Sequence, residues 1–404
     1  MKYINNKLST EKINFQKIAN KFETPFYSYS YSKLKENINN FKNSFKSFSP
    51  LICFAVKSNT NLNIIREIKK LGLGADVVSQ GELMMALKAG VNPNKIVFSG
   101  VGKTSNEIGF AIEKKILLIN AESLSEVKEI DRIAKFKNKK VNIGVRLNPD
   151  TDAKTLIQIS TGKKENKFGV NKSILYEIIK YCNNSDNINL KCLSVHIGSQ
   201  ILDYKPYEKM LKTVSQILSK TDHSFEYIDL GGGMGITYSN KNKKLSYKKY
   251  NTAILRFLKI HRVKIIFEPG RSIIGNTGTL VTRIIYIKES GKKNFIILDA
   301  AMNDLMRPAL YGAFHKTLPV IKSQKISKKI YEFVGPICET TDKFITLKGF
   351  QKLKEKDLIA ICDVGAYGMS LSSNYNLRPK LLELLIKGSK ITVIRKRQNY
   401  KELI

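Results

Sequence analysis

One lysine stands at the end of an apolar run. Leu51-Ile52-Cys53-Phe54-Ala55-Val56 reads as a buried strand, and it stops on Lys57, followed by the small polar pair Ser58-Asn59. A lysine in that place holds its amine at the rim of a sheet or barrel. Desolvation there lowers an amine's pKa, so it can act as a nucleophile and form a Schiff base. An isolated lysine at a strand end is more often a snorkelling side chain, so other residues must decide. Asp229-Leu230-Gly231-Gly232-Gly233-Met234-Gly235 is a second candidate. Successive glycines let backbone N–H groups approach a phosphate without side-chain hindrance, although glycine-rich turns are common. Glu268-Pro269-Gly270-Arg271 is a third. A carboxylate and a guanidinium so close on a loop form either a surface ion pair or a grip on opposite parts of a polar ligand.

The elements that must position these residues alternate. Apolar strand segments at 51–56, 75–78, 96–98, 116–119, 141–146, 190–196, 226–229 and 264–267 are separated by helical patterns, among them 61–71, 81–89, 123–137 and 173–181. This many βα units over roughly 230 residues is the size of a TIM barrel. A doubly wound open sheet would show the same alternation, because strand order is not written in the sequence. In a barrel the strand ends converge on one face. Lys57 follows the first strand, Asp76 and Ser79 lie at the second, His196 follows the sixth, Gly231 to Gly233 follow the seventh and Glu268 the eighth. Beyond about 277 the pattern changes to strands at 279–288, 294–299, 331–335, 357–362 and 391–395, separated by turns. The expected fold is α/β, a (β/α)8 barrel over 31–277 with a second, mainly β domain over 278–404. A strand near 25–30, from the N-terminal 1–30, is expected to join the second domain.

Composition narrows the function. The 404 residues carry 69 Lys and Arg against 34 Asp and Glu, a formal net charge of +35. The lysines are spread along the whole chain, with no aromatic–basic ladder, so solvated lysine faces are expected and no nucleic-acid partner. No apolar run is long enough to span a membrane, and the N-terminus lacks the apolar core of a signal peptide; a cytoplasmic protein is expected. Cys53, Cys182, Cys192, Cys338 and Cys362 form no CxxC pair, and the four histidines are scattered. This speaks against a disulfide framework and against a metal site. A lone cysteine such as Cys338 is more often a small core residue than a reactive one.

The motifs together resemble the fold-type III pyridoxal-phosphate decarboxylases, the group that includes ornithine and arginine decarboxylases. The resemblance runs from about Thr24 to Lys380 and rests on many separate matches in one order. They are Phe54 to Asn59, Gly72 to Leu83, Ile159-Ser160-Thr161-Gly162, Glu165 to Gly169, His196-Ile197-Gly198-Ser199-Gln200, the Gly231 cluster and Glu268 to Arg271. Met302 to Tyr311, Gly335-Pro336-Ile337-Cys338-Glu339 and Asp363 to Gly368 complete the set. The chain departs from the family before Ile159, where a histidine is frequent and Thr155-Leu156-Ile157-Gln158 stands here.

The resemblance implies roles. Lys57 would carry pyridoxal 5'-phosphate, with Asp76 near its amine. Glu268 would face the pyridine nitrogen and keep it protonated, which argues against a racemase of the same barrel. His196 would stack on the ring. Ser199, Gly231, Gly232, Gly233, the Pro269-Gly270-Arg271 segment and the Tyr367 hydroxyl would hold the phosphate. Cys338 would donate a proton in the site of a partner subunit, so the resemblance implies a homodimer with shared active sites. Arg271, Arg307, Tyr311, Glu339 and Tyr367 would bind substrate. An ornithine enzyme needs no arginine at the far end of its substrate, whereas a distal carboxylate calls for a forked donor. Arg307 therefore points to meso-2,6-diaminopimelate, converted to L-lysine and CO2 in the last step of lysine biosynthesis. A decarboxylase of ornithine, arginine or carboxynorspermidine and a catalytically silent cofactor-binding regulator are the alternatives. Retention of Lys57, Glu268 and Cys338 disfavours the silent one.

Overall fold

A computed structural model of the chain describes residues 1–153, 161–162, 166–239 and 244–404. Of the motif residues above, Ile159, Ser160 and Glu165 lie outside the described residues, as does the stretch Thr155 to Gln158. Two compact units divide the chain: Ile38–Ile236 with Lys243–Ile273, and Met1–Asn37 with Thr237–Asn242 and Ile274–Ile404.

The first unit is a closed barrel of eight parallel strands, each hydrogen-bonded to its neighbours in sequence. They are Leu51–Ala55, Gly74–Val77, Ile96–Phe98, Leu118–Ala121, Val141–Leu147, Ile188–Val195, Tyr227–Asp229 and Lys264–Phe267. The barrel, not the open sheet, is therefore the arrangement adopted. The strands read as near-continuous apolar runs because helices cover the outside and side chains fill the inside. The helices start where the sequence places caps. Ser79, Thr104 and Ser123 each accept a hydrogen bond from the backbone of a glutamate three residues on, Glu82, Glu107 and Glu126. Such caps satisfy orphan N–H groups at the turn that carries the chain from a strand's carboxyl end into the next helix.

Closure occurs where the eighth strand meets the first, with Phe267 opposite Ile52. An aromatic cluster seals that seam. The Phe267 ring lies 4.8 Å from Phe45 and 5.5 Å from Phe41, and Tyr207 stacks on Tyr250 at 4.3 Å. Phe41 comes from the helix Tyr31–Ser44, which precedes the first barrel strand.

The second unit is built on a mainly antiparallel sheet. The long strand Gly278–Ser290 pairs with Lys293–Leu298, with Leu358–Cys362 and with Phe26–Ser30. Phe26–Ser30 in turn runs parallel to Leu382–Lys387. Leu8, Phe15, Phe26, Val281, Val320, Leu384 and Ile386 share its core. Several elements escape a reading by pattern. Leu382–Lys387 lacks alternation because it is buried on both faces except at its last residue, and its Leu, Glu and Lys favour helix. Lys343–Leu347 is short and partly exposed. The polar start of the chain forms three short strands, Lys2–Ile4, Lys7–Thr10 and Ile13–Asn14, and the helix Phe15–Phe22.

Phe267→Ala should open a cavity at the closing seam. The expected loss is about 3–5 kcal/mol, read as a lower urea midpoint at unchanged m-value. A midpoint equal to that of the unaltered protein would show that the seam does not depend on this ring.

Candidate active site

Every barrel strand delivers a polar side chain at or just beyond its carboxyl end: Lys57, Asp76, Ser99, Asn120, Arg146, His196, Asp229 and Glu268, in strand order. Lys57 sits in a short 3-10 turn, Val56–Ser58, directly after the first strand. Its Nζ lies 2.8 Å from Oδ2 of Asp76, which is fully buried. Lys57, Ser99, Arg146, His196 and Glu268 line one cavity of about 440 Å³.

The carboxyls below this cavity form a network. Asp229 and Glu268 are hydrogen-bonded to each other. Burial first, then the charges of Asp229 and Asp76, push the Glu268 carboxyl well above its ordinary pKa, while Lys57 pulls the other way. Burial raises Asp229 as well, to about 6, so the two carboxyls titrate as a pair that favours holding one proton between them. Asp229 Oδ2 accepts from Asn120 Nδ2 at 3.1 Å and from Ser194 Oγ at 3.3 Å, and its Oδ1 accepts from the Gly231 N–H at 2.9 Å. Ser99 Oγ donates to Glu268 Oε1 at 3.3 Å and accepts from Asn120 at 3.2 Å.

His196 is held as a neutral ring. Its Nδ1 accepts from the Gly232 N–H at 3.2 Å, so that nitrogen carries no proton. Burial, then the charges of Arg146 and Lys57, lower its pKa well below the ordinary value. Glycine is required beside it. Gly231 has φ +62, and a Cβ there would meet His196 Nδ1 at 2.5 Å; a Cβ on Gly232 would meet the Glu268 carbonyl at 2.1 Å. Gly233 also has positive φ. On the eighth loop, Pro269 O accepts from Ala55 N at 3.2 Å, Gly270 packs on Ser58, and Arg271 Nη2 donates to Ser199 Oγ at 3.2 Å.

The barrel unit thus brings together Lys57, Asp76, His196, Ser199, Gly231 to Gly233 and Glu268 to Arg271. The remaining candidates belong to the second unit. Arg307 and Tyr311 bound one short helix, and Arg307 is buried with its guanidinium 4.8 Å from the Tyr238 ring centroid. Cys338 and Glu339 are exposed on the loop that follows the strand Ile330–Val334. Asp342 ties that loop to the Met302 segment, accepting from Ile337 N and Met302 N, each at 2.7 Å. Glu339 is bonded to the Tyr375 hydroxyl and accepts from Thr341 at 3.0 Å. Tyr367 adopts φ +57 next to Gly368, which packs against Tyr27.

Sequence reasoning missed Ser99, Asn120, Arg146 and the role of Asp229. One signal was present: each is a polar residue at or just after the end of an apolar strand. Arg146 pairs with Glu122 at 3.1 Å and stacks on Phe168 at 4.7 Å. Among the described residues no group of three or more His, Cys, Asp or Glu side chains could hold a metal ion. No described helix is long and apolar enough to cross a membrane.

Residues 31–275 match the family "pyridoxal-dependent decarboxylase, pyridoxal binding domain". The closed barrel with a lysine after its first strand is therefore the cofactor domain of a pyridoxal-dependent decarboxylase. The similarity continues to the ends of the chain. It is 39% identical to the diaminopimelate decarboxylase of Aquifex aeolicus, over 100% of this chain and 96% of that one. It is 41% identical to that of Haemophilus influenzae, over 99% and 97%. The crystal structure of Helicobacter pylori diaminopimelate decarboxylase complexed with L-lysine superposes with a TM-score of 0.92 at 42% identity, covering 96% of this chain and 98% of the other. The chain belongs to the diaminopimelate decarboxylase family.

The barrel fits the cofactor that this family uses. Asp76 Oδ1 is buried and meets no hydrogen-bond partner among the described residues. Glu268 lines the cavity, and its carboxyl, which burial and its acidic neighbours make a proton holder, suits a ring nitrogen with which it could share a proton.

Gly231→Ala should force a side chain into a left-handed conformation and against His196. Left-handed backbone alone costs about 1–2 kcal/mol. Affinity for pyridoxal phosphate should fall at least about tenfold, measured by equilibrium dialysis, with far-ultraviolet circular dichroism unchanged. Undiminished affinity would mean that the glycines do not shape the cofactor site.

Proposed function

We propose that this chain decarboxylates meso-2,6-diaminopimelate to L-lysine and CO2 with pyridoxal 5'-phosphate as cofactor. The observation that carries the reading is a lysine-centred barrel pocket and a buried Arg307 in one chain, along its whole length similar to diaminopimelate decarboxylases. L-lysine, held by the Helicobacter pylori relative, is the product of this reaction.

Bound pyridoxal phosphate supplies an electron sink for the carbanion left by decarboxylation. The chain's own residues do the rest. Lys57 Nζ would anchor the cofactor, with Asp76 holding that amine in place. Glu268 would keep a proton at the ring nitrogen. His196, neutral and fixed by Gly232, would stack on the ring without adding a charge. Ser199, Gly231 to Gly233, Pro269 to Arg271 and the Tyr367 hydroxyl take the phosphate. Arg307, with Arg271, Tyr311 and Tyr367, binds the distal carboxylate, and Glu339 the distal ammonium. In this reading 31–277 is the cofactor domain and also lends Arg271 to the substrate, and 278–404 with the strand from 1–30 carries Arg307, Tyr311, Glu339 and Tyr367.

The working unit in this reading is a homodimer. Cys338 and Glu339 are exposed in the single chain, available to a neighbouring subunit, where Cys338 Sγ would give its proton to the carbon that lost its carboxyl. A cytoplasmic location suits this chemistry, because a reducing compartment keeps such a thiol free.

Substrate choice is tested by the ratio of kcat/KM for meso-diaminopimelate over ornithine. Arg307→Ala should lower that ratio by about 30- to 1,000-fold, the effect of losing a charge-assisted bidentate contact of about 2–4 kcal/mol. Preference of the unaltered enzyme for ornithine would overturn the assignment.

Assembly is tested by mixing two inactive variants, Lys57→Ala and Cys338→Ala. After random subunit exchange, one site of each mixed dimer carries neither substitution, so activity should recover to about one quarter of the unaltered level. Exchange without recovery would place both residues of a site in one chain.

A further inference from the structure

Arg307 carries a charge that it cannot shed, and it is buried. Its Nη1 donates to Nε2 of His315 at 2.8 Å. His315, almost wholly buried, is itself anchored: Nδ1 lies 2.9 Å from the carbonyl oxygen of Cys362. A carbonyl oxygen only accepts, so Nδ1 carries the hydrogen. Nε2 is then the bare nitrogen, and it faces the guanidinium as an acceptor. The two contacts fix one tautomer and one orientation.

The surroundings hold that orientation. Tyr238 meets the His315 ring edge-on, with centroids 5.3 Å apart and planes at 80°, and presents its face to Arg307. The backbone on either side is pinned. Cys362 N donates to Lys316 O at 2.8 Å, and Thr317–Pro319 pairs with Leu358–Cys362. Arg307 and His315 thus lie on either side of a turn through Gly312, which has left-handed φ and closes the helix Arg307–Tyr311.

A packing residue would need only the shape of this ring. Here both ring nitrogens are used, one on the sheet and one on the arginine. A carboxylate in the place of His315 would hold the guanidinium too, but it would cancel the charge. A neutral acceptor sets the plane of the fork without itself adding a negative charge. We propose that His315 is the positioning residue for Arg307, its bare Nε2 and the Tyr238 face setting the guanidinium to receive the distal carboxylate of the substrate. This rests on the reading above that Arg307 binds that group.

Two substitutions separate the functions of the two nitrogens. His315→Asn places an amide N–H where Nδ1 stood and keeps the bond to Cys362 O, but nothing reaches Arg307. His315→Gln places a carbonyl oxygen near the former Nε2 and keeps an acceptor for Arg307. Steady-state kinetics of the pyridoxal-phosphate-loaded dimer on meso-diaminopimelate and ornithine then decide. His315→Asn should lower the kcat/KM ratio by about 10- to 100-fold, the weight of one hydrogen bond to a charged group, chiefly through a higher KM for diaminopimelate. His315→Gln should restore the ratio to within about threefold. A crystal structure of His315→Asn should show the guanidinium turned from its plane. An unchanged ratio in His315→Asn, an equal loss in both variants, or a fall in kcat alone on both substrates would overturn the proposal. If His315→Asn fails to fold, the folded His315→Gln still decides, because loss of its selectivity contradicts the proposal and retention supports it. Arg307→Ala, measured alongside, separates the two ideas. If it leaves the ratio unchanged, the reading of Arg307 fails; if it lowers the ratio while His315→Asn does not, only the inference about His315 fails.

Discussion

Three buried carboxyls, Asp76, Asp229 and Glu268, gather at one end of the barrel, where Asp76 meets the amine of Lys57. Taking a carboxylate out of water costs several kcal/mol, and the group must be paired, hydrogen-bonded or protonated in return. Each device is in use. Lys57 pairs with Asp76. Asp229 gathers N–H and O–H donors from Asn120, Ser194 and Gly231. Glu268, hydrogen-bonded to Asp229, favours sharing a proton with it. Removing a member leaves a buried charge without its partner, which is why so many polar residues converge here.

The barrel supplies the rigidity that this balance needs. A strand end fixes where a side chain begins, and the capped helix that follows fixes where the chain leaves. The glycine stretch after the seventh strand does a different job. It brings backbone against His196 and against the Glu268 carbonyl, an approach that any Cβ would block. The same backbone gives His196 its hydrogen-bond donor, so the shape of the loop and the tautomer of the ring have one cause.

In the second unit a buried charge is handled differently. Arg307 rests on an imidazole nitrogen and an aromatic face, two contacts that orient the guanidinium and bring no negative charge of their own. Asp342 works on the backbone instead, joining the Met302 segment to the loop of Cys338 and Glu339 through two N–H groups. In each case one of the contacts comes from far along the chain, Tyr238 for Arg307 and Asp342 for the Met302 segment.

The sequence by itself determined the eight barrel strands, because parallel strands covered on both faces must be apolar and their ends must be punctuated. It also determined Lys57, the Gly231 cluster and Glu268 to Arg271, whose types and neighbours are unusual enough to stand out. It left Leu382–Lys387 hidden, since Glu383 interrupts its apolar run and its Leu, Glu and Lys favour helix. Closure of the sheet, the proton shared by Asp229 and Glu268, the pairing of Arg146 with Glu122 and the contact of His315 with Arg307 were decided only by the tertiary structure. Asn120 and Asp229 are 109 residues apart, and the strand Leu51–Ala55 pairs with one that begins at Lys264. Local pattern records burial and direction within one element. Which polar group meets which depends on strand order and register, and those are fixed only when distant elements pack.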